Sequence, residues 1–172
     1  MKNIILTLMV GLMATVSGFA QYHTTNQSNN NTRQFKTWNS QYYSIKYPAN
    51  WKVLTDYDVL TDVYIGSLDA YLGFTVLFGD TEFSLSEVVN MGNVDMKKAG
   101  WNIVSNRAIS INGQACYKTV IEYWLNGYHV KQISYTFKKG RKIFNVKFGS
   151  SYSEVNANTA LIDEIIGSFK MK

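Results

Sequence analysis

Tyr43-Ser44-Ile45-Lys46-Tyr47-Pro48-Ala49-Asn50-Trp51 is the stretch on which the reading of this chain turns. Tyr43, Ile45 and Tyr47 alternate with Ser44 and Lys46, which is the period of a strand with one buried face. Pro48, the only proline in the chain, ends that strand because it has no N–H to give to a ladder. Trp51 follows it at once and opens a second short strand, Trp51-Lys52-Val53-Leu54. The tyrosines and the tryptophan therefore read as core anchors on either side of a turn.

Outward from this stretch the pattern stays strand-rich. After Asp56-Tyr57-Asp58, the residues Val59, Thr61, Val63 and Ile65 share one face of a longer strand. Tyr71 to Phe78 is apolar on both faces, as in a strand covered on both sides. Ser84-Leu85-Ser86-Glu87 is a capping box. It opens a helix whose apolar face holds Leu85, Val88, Val89, Gly92, Met96 and Ala99, with Gly100 as its left-handed terminator. Asn112-Gly113, Asn126-Gly127 and Lys139-Gly140 then punctuate four strand-like segments, 103–111, 115–125, 128–137 and 143–148. Asn-Gly suits the two-residue hairpin turn, so these segments predict an antiparallel meander. A single closing helix is expected over 153–167, with Val155, Leu161, Ile162, Ile165 and Ile166 inward, followed by Phe169. The fold class is α+β, with cover expected on both sides of the sheet.

The chain has 172 residues and opens with Met1-Lys2-Asn3, an apolar run to about Val16, and Ser17-Gly18-Phe19-Ala20. A positive start, a short apolar run and small residues before a cleavage point predict a signal peptide over 1–20. The run is too short for an ordinary membrane span, which takes about 20 apolar residues. Residues 21–40 are Asn/Thr/Ser-rich and read as a flexible polar leader, with Phe35 and Trp38 marking its first contact with the domain. The domain proper is expected over 41–172. The expected location is therefore outside the cytoplasm, periplasmic or secreted. A net charge of +5 is too mild and too scattered for nucleic-acid binding. Cys116 is the only cysteine, so no internal disulfide can form. With aromatic residues at 15% of the chain, packing must supply the stability instead.

These elements, in this order, resemble the PsbP-like superfamily, which takes in a Ran-binding, Mog-type branch and many exported bacterial proteins. The resemblance lies in Tyr43 to Val53, Ser84-Leu85-Ser86-Glu87, Ile109-Ser110-Ile111-Asn112-Gly113-Gln114-Ala115, Glu122-Tyr123, and Ile165-Ile166-Gly167-Ser168-Phe169-Lys170. It spans about 41–170. What it implies is an α/β/α sandwich around a central antiparallel sheet, in proteins that are mostly accessory or binding partners. The matching residues are structural in kind, so it implies no functional site.

Chemistry is sparse. Cys116 and His129 could form a dyad only if adjacent strands placed them within hydrogen-bond reach; a buried apolar role for Cys116 is the simpler expectation. Asp56, Asp58 and Asp62 lack the glycine and terminal glutamate of a calcium loop and read as a solvated turn. No Cys/His cluster has zinc spacing, and neither Gly149-Ser150-Ser151 nor Gly66-Ser67-Leu68 has the flanks of a nucleophile elbow. No catalytic residue, metal or cofactor is therefore expected. Lys131, Lys138, Lys139, Arg141, Lys142 and Lys147 concentrate charge around the last hairpin. Of these Lys138, Lys139, Arg141 and Lys142 are the candidate partner-binding residues, for an acidic surface or lipid head groups; alternatively they guard exposed strands against edge pairing. Tyr42, Tyr43, Tyr47, Trp51, Tyr57, Tyr64 and Tyr71 suggest an aromatic platform, but sheet and core packing explains them more simply. The functional expectation is a non-catalytic accessory or binding module for a protein partner or small ligand. The alternatives are an assembly factor touching membrane or cell wall, or a hydrolase with residues scattered in sequence.

Overall fold

The structure is a computed structural model that describes residues 33–55, 61–67 and 72–172. The expected signal peptide, most of the expected polar leader, and Asp56, Tyr57, Asp58, Val59 and Tyr71 lie outside the described residues.

Strand β2 (Tyr43–Pro48) is the expected one, and Tyr43, Ile45 and Tyr47 all point into the core. Pro48 is its last residue, and the Trp51 N–H closes a tight turn on the Pro48 carbonyl at 3.0 Å. Strand β1 (Phe35–Asn39) pairs antiparallel along β2, from Phe35 opposite Pro48 to Asn39 opposite Ser44. This differs from the expected start near residue 41. Phe35 and Trp38 pack on the core as expected, but they do so from a paired strand. The last two strand residues of the chain, β10 (Lys170–Met171), add to the other side of β2 and complete a three-stranded sheet, β1-β2-β10.

The larger sheet has seven antiparallel strands in the order β3-β4-β5-β9-β8-β7-β6. These are β3 (Lys52–Leu54), β4 (Thr61–Gly66), β5 (Gly73–Asp80), β6 (Asn102–Ile111), β7 (Gln114–Leu125), β8 (Tyr128–Lys139) and β9 (Lys142–Ser151). β6 to β9 are the expected meander. Asn112 and Gly113 have φ of 52° and 76°, and Asn126 and Gly127 have 49° and 83°, the paired positive values of a type I′ turn. The third loop differs: Gly140 has φ of 59° and Arg141 is not among the positive-φ residues, which is the type II′ arrangement.

Helix α1 (Leu85–Lys98) starts at the capping box. The Ser84 hydroxyl accepts from the Glu87 N–H at 3.3 Å, and the Glu87 carboxylate accepts from the Ser84 N–H at 2.7 Å. The Ser84 side chain first, and the Ser84 backbone N–H second, hold the Glu87 carboxyl below the ordinary carboxylate range by hydrogen bonding to it. Val88, Val89, Gly92 and Met96 are buried, whereas Ala99 sits past the helix end and is exposed. Gly100 follows with φ of 78°, the left-handed terminator. The closing helix is broken in two, α2 (Tyr152–Ala157) and α3 (Thr159–Gly167). At the break Asn158 has φ of −108° and ψ of 17°; its side chain and its backbone N–H both donate to the Glu154 carbonyl, at 2.9 and 3.1 Å, and the Thr159 hydroxyl donates to the carbonyls of Val155 and Asn156.

Two cores result, one on each face of the seven-stranded sheet. The larger joins Phe74, Val76, Ile133, Tyr135, Phe137, Phe144, Val146 and Phe148 to Tyr43 and Ile45 of the small sheet, Ile162 and Ile166 of α3, and Phe169. Trp51 belongs to it, with its ring 6.2 Å from Phe74. The smaller sets Val88 and Met96 of α1 on Leu77, Ile121 and Ile143. The sandwich is thus α1, the large sheet, and a second outer layer built jointly from α2, α3 and the three-stranded sheet.

Candidate functional site

The expected site residues separate in space. Lys138, Lys139, Arg141 and Lys142 lie at the β8–β9 turn. Lys131 lies toward the other end of β8, opposite Ser150, and Lys147 is a buried residue of β9 at 4% exposure. The basic cluster read from the sequence is therefore four residues, not six. Two of those have acidic neighbours: the Arg141 guanidinium donates to Glu82, and the Lys142 ammonium is 3.0 Å from Asp80. Lys142 also lies 4.7 Å over the Tyr42 ring, and the Lys138 ammonium donates to the Gly140 carbonyl at 2.5 Å.

Cys116 is opposite Phe137, whereas His129 is opposite Trp124, eight residues further along β8. At about 3.3 Å per strand residue that separates them by roughly 26 Å, so they form no dyad. Burial pushes the Cys116 thiol up to about 11, against a smaller opposing effect of Lys118. Asp62 accepts from the Tyr43 hydroxyl at 2.5 Å. Burial first, and that carboxylate second, raise the Tyr43 pKa. Among the described residues no group of His, Cys, Asp and Glu is arranged to hold a metal ion, and no helix is long and apolar enough to cross a membrane.

Of the expected aromatic platform, Tyr43, Tyr47 and Trp51 are buried and Tyr42 packs on Phe78 at 5.0 Å, so these are packing residues. A polar band also crosses the large sheet on its α1 side. There Asn145 donates to Thr136 at 2.8 Å, while Asn145 Oδ1 and Thr75 Oγ1 have no hydrogen-bond partner. All of these are at most 4% exposed, so the band presents no surface.

The exposed aromatics are elsewhere. Trp124 is 71% exposed, Tyr128 57% and Tyr152 39%, all at one end of β7, β8 and β9. Trp124 on β7 stacks on His129 of β8 at 4.9 Å with the planes 13° apart. His129 stacks on Tyr152, just past β9, at 4.6 Å and 7°. The spacing is that of adjacent strands, about 4.8 Å, because the three residues form one cross-strand row. Trp124 is opposite His129, and Ser151 opposite Val130 brings Tyr152 alongside. The Lys131 ammonium covers the Tyr152 ring at 5.0 Å and donates to Asn156 at 2.6 Å. The Glu122 carboxylate lies 3.5 Å from His129 Nε2. Sequence reasoning missed this row. Half of it was readable, since a two-residue turn at Asn126-Gly127 sets Leu125 opposite Tyr128 and Trp124 opposite His129. Tyr152 needed the pairing of β9.

Comparison with family models and with curated proteins gives no match. Solved structures do match. Cyanobacterial PsbP (CyanoP) from Synechocystis sp. PCC 6803 superposes with a TM-score of 0.65 at 13% identity, covering 86% of this chain and 98% of that one. LpqN of Mycobacterium tuberculosis, involved in cell envelope biogenesis, gives 0.56 at 12% identity over 83% and 92%. The Saccharomyces cerevisiae Ran-binding protein Mog1p gives 0.54 at 9% identity over 81% and 96%. The chain has the PsbP/Mog1-like fold. At these identities the likeness is one of architecture, and the aromatic row is described for this chain alone.

Proposed function

We propose that this protein is an exported, non-catalytic binding module that recognises a protein partner or small ligand at the aromatic end of its large sheet. The observation that carries the reading is the row Trp124–His129–Tyr152, whose outermost ring is held in place yet 71% exposed. A large aromatic side chain ordered before contact loses little freedom on binding, and tryptophan and tyrosine are the commonest energetic anchors of interfaces. Cys116, Tyr43, Tyr123 and Tyr135 are each pushed upward, away from neutrality, with burial the first cause, so none of these four is poised as an acid or base. A general acid or base works best with its pKa near the operating pH. Mog1p binds Ran and LpqN serves envelope biogenesis, so this fold serves partner recognition and envelope roles elsewhere; that support is analogy. Export rests on the N-terminal sequence pattern.

The test is photo-crosslinking in the native host, with a photoreactive residue placed at Tyr128 or, at the far end of β8, at Lys139. A discrete adduct from position 128 and none from 139 is expected. Adducts from 139 alone would move the site to the basic turn. Turnover of ester, phosphate or glycoside substrates by the purified chain would overturn the non-catalytic reading.

A further inference from the structure

The geometry points to a saccharide as the ligand of the aromatic row, stacked by its C–H face on the outer face of Trp124. This inference rests on the binding reading above and names the ligand class for that site.

The row is a column with one closed end and one open end. The Lys131 ammonium lies 5.0 Å over Tyr152, then come His129 and Trp124, each parallel to its neighbour within 13°. Beyond Trp124 no strand follows, because β6 begins at Asn102, opposite Glu122, and its register stops short of Trp124. The inner face of the indole is therefore covered by His129, and the outer face meets solvent. An aromatic face is the negative part of the ring's quadrupole. It attracts the weakly positive axial hydrogens of a pyranose ring, which offers a flat C–H face and hydroxyls at its edge.

The surroundings narrow the class. Nucleic-acid bases also stack on exposed rings, but their affinity depends on cations against phosphates. The cation of this row, Lys131, lies at the closed end over Tyr152 and donates to Asn156, whereas the charge beside the open Trp124 face on β7 is the Glu122 carboxylate, two residues away. A quaternary ammonium is held by several ring faces turned toward one point, whereas these rings face one another and leave a single face open. An apolar peptide needs a contiguous apolar patch, and here Glu122 and His129 flank the indole. What remains is a neutral, hydroxylated ligand with an apolar face. Glu122 can accept from its hydroxyls, and the indole N–H of Trp124 can donate.

The experiment is calorimetric titration of the purified chain with tetrasaccharides of glucose, N-acetylglucosamine, mannose and galactose. Saturable binding to at least one is expected. Trp124→Ala should weaken it at least ten-fold, and Trp124→Phe less than Trp124→Ala. Trp101→Ala should leave it within two-fold, because Trp101 stacks on Tyr123 on the opposite face of β7. Far-UV circular dichroism of each variant separates lost binding from lost fold; should Trp124→Ala unfold, Glu122→Gln and Trp124→Phe carry the comparison. No binding to any of the four sugars, or binding indifferent to Trp124, would overturn the saccharide assignment. A crosslinked protein partner at position 128 in that case would leave the binding-module reading standing.

Discussion

Replacing Trp51 and Trp124 by alanine, one at a time, should give opposite results. Trp51 is 7% exposed and sits in the larger core against Phe74. Removing its side chain gives up about 200 Å² of buried surface at about 25 cal/mol per Å², less what alanine retains. The tightly packed neighbours, Phe74 and Phe148 at 5.3 Å among them, cannot close the cavity fully. The expected loss is about 3–5 kcal/mol. At roughly 2–4 °C per kcal/mol for a chain of this size, the melting temperature should fall by roughly 6–20 °C. Trp124 touches one ring and faces solvent, so its loss removes a single stack worth about 0.5–1.5 kcal/mol. Urea unfolding followed by far-UV circular dichroism measures both. A Trp51→Ala cost below about 1 kcal/mol, or equal costs for the two variants, would refute the division into one packing tryptophan and one surface tryptophan.

Other perturbations test separate parts of the structure. Ser84→Ala should cost about 0.5–2 kcal/mol by removing the cap of α1. Because the Glu87 pKa is lowered in the fold, its contribution is present above the ordinary carboxylate pKa and fades as pH falls; Ser84→Ala should reduce that acid dependence in urea titrations between pH 7 and 3, and the backbone N–H at residue 84 should preserve the rest. Tyr43, Tyr123 and Tyr135 have raised pKa values in the fold. Their contribution is therefore complete below the unfolded tyrosine pKa of about 10 and is lost as pH rises above it. Stability measured from pH 8 to 12 should fall on the alkaline side, and a flat profile would contradict this. Thr75→Val replaces a buried hydroxyl without a partner by an apolar isostere and should be neutral or stabilising by about 1 kcal/mol; a loss would show that the hydroxyl is satisfied. Charge reversal at Lys138, Lys139, Arg141 and Lys142 should abolish any binding of the purified chain to anionic lipid vesicles in sedimentation. Because Arg141 and Lys142 already have acidic neighbours, any such binding is expected to be weak.

The parts of the fold set by local chemistry were legible. The capping box needed only Ser84 and Glu87, and the first two hairpins only Asn112-Gly113 and Asn126-Gly127. Features created by distant partners were not. Phe35–Asn39 has a weak strand pattern of its own and becomes a strand because β2 offers a free edge. The helical period runs unbroken through Asn158, where the backbone departs from helical geometry and the side chains of Asn158 and Thr159 bond to nearby carbonyls. The aromatic row shows the same limit: Trp124 and His129 are joined by a local turn, while Tyr152 arrives through the β8–β9 pairing. Counting aromatics near Tyr43 pointed to the buried set, because density in sequence does not distinguish a core from a surface.

The most direct test of the central claim is the indole region of a ¹H–¹⁵N NMR spectrum. The chain has four tryptophans, hence four resonances, with Trp124 assigned by its loss in Trp124→Phe. On addition of the oligosaccharide probes, or of a crosslinking partner once purified, the Trp124 signal should shift and the Trp51 signal should stay in place. A shift confined to Trp51 or Trp38, or one that leaves Trp124 unmoved under saturating ligand, would contradict the account.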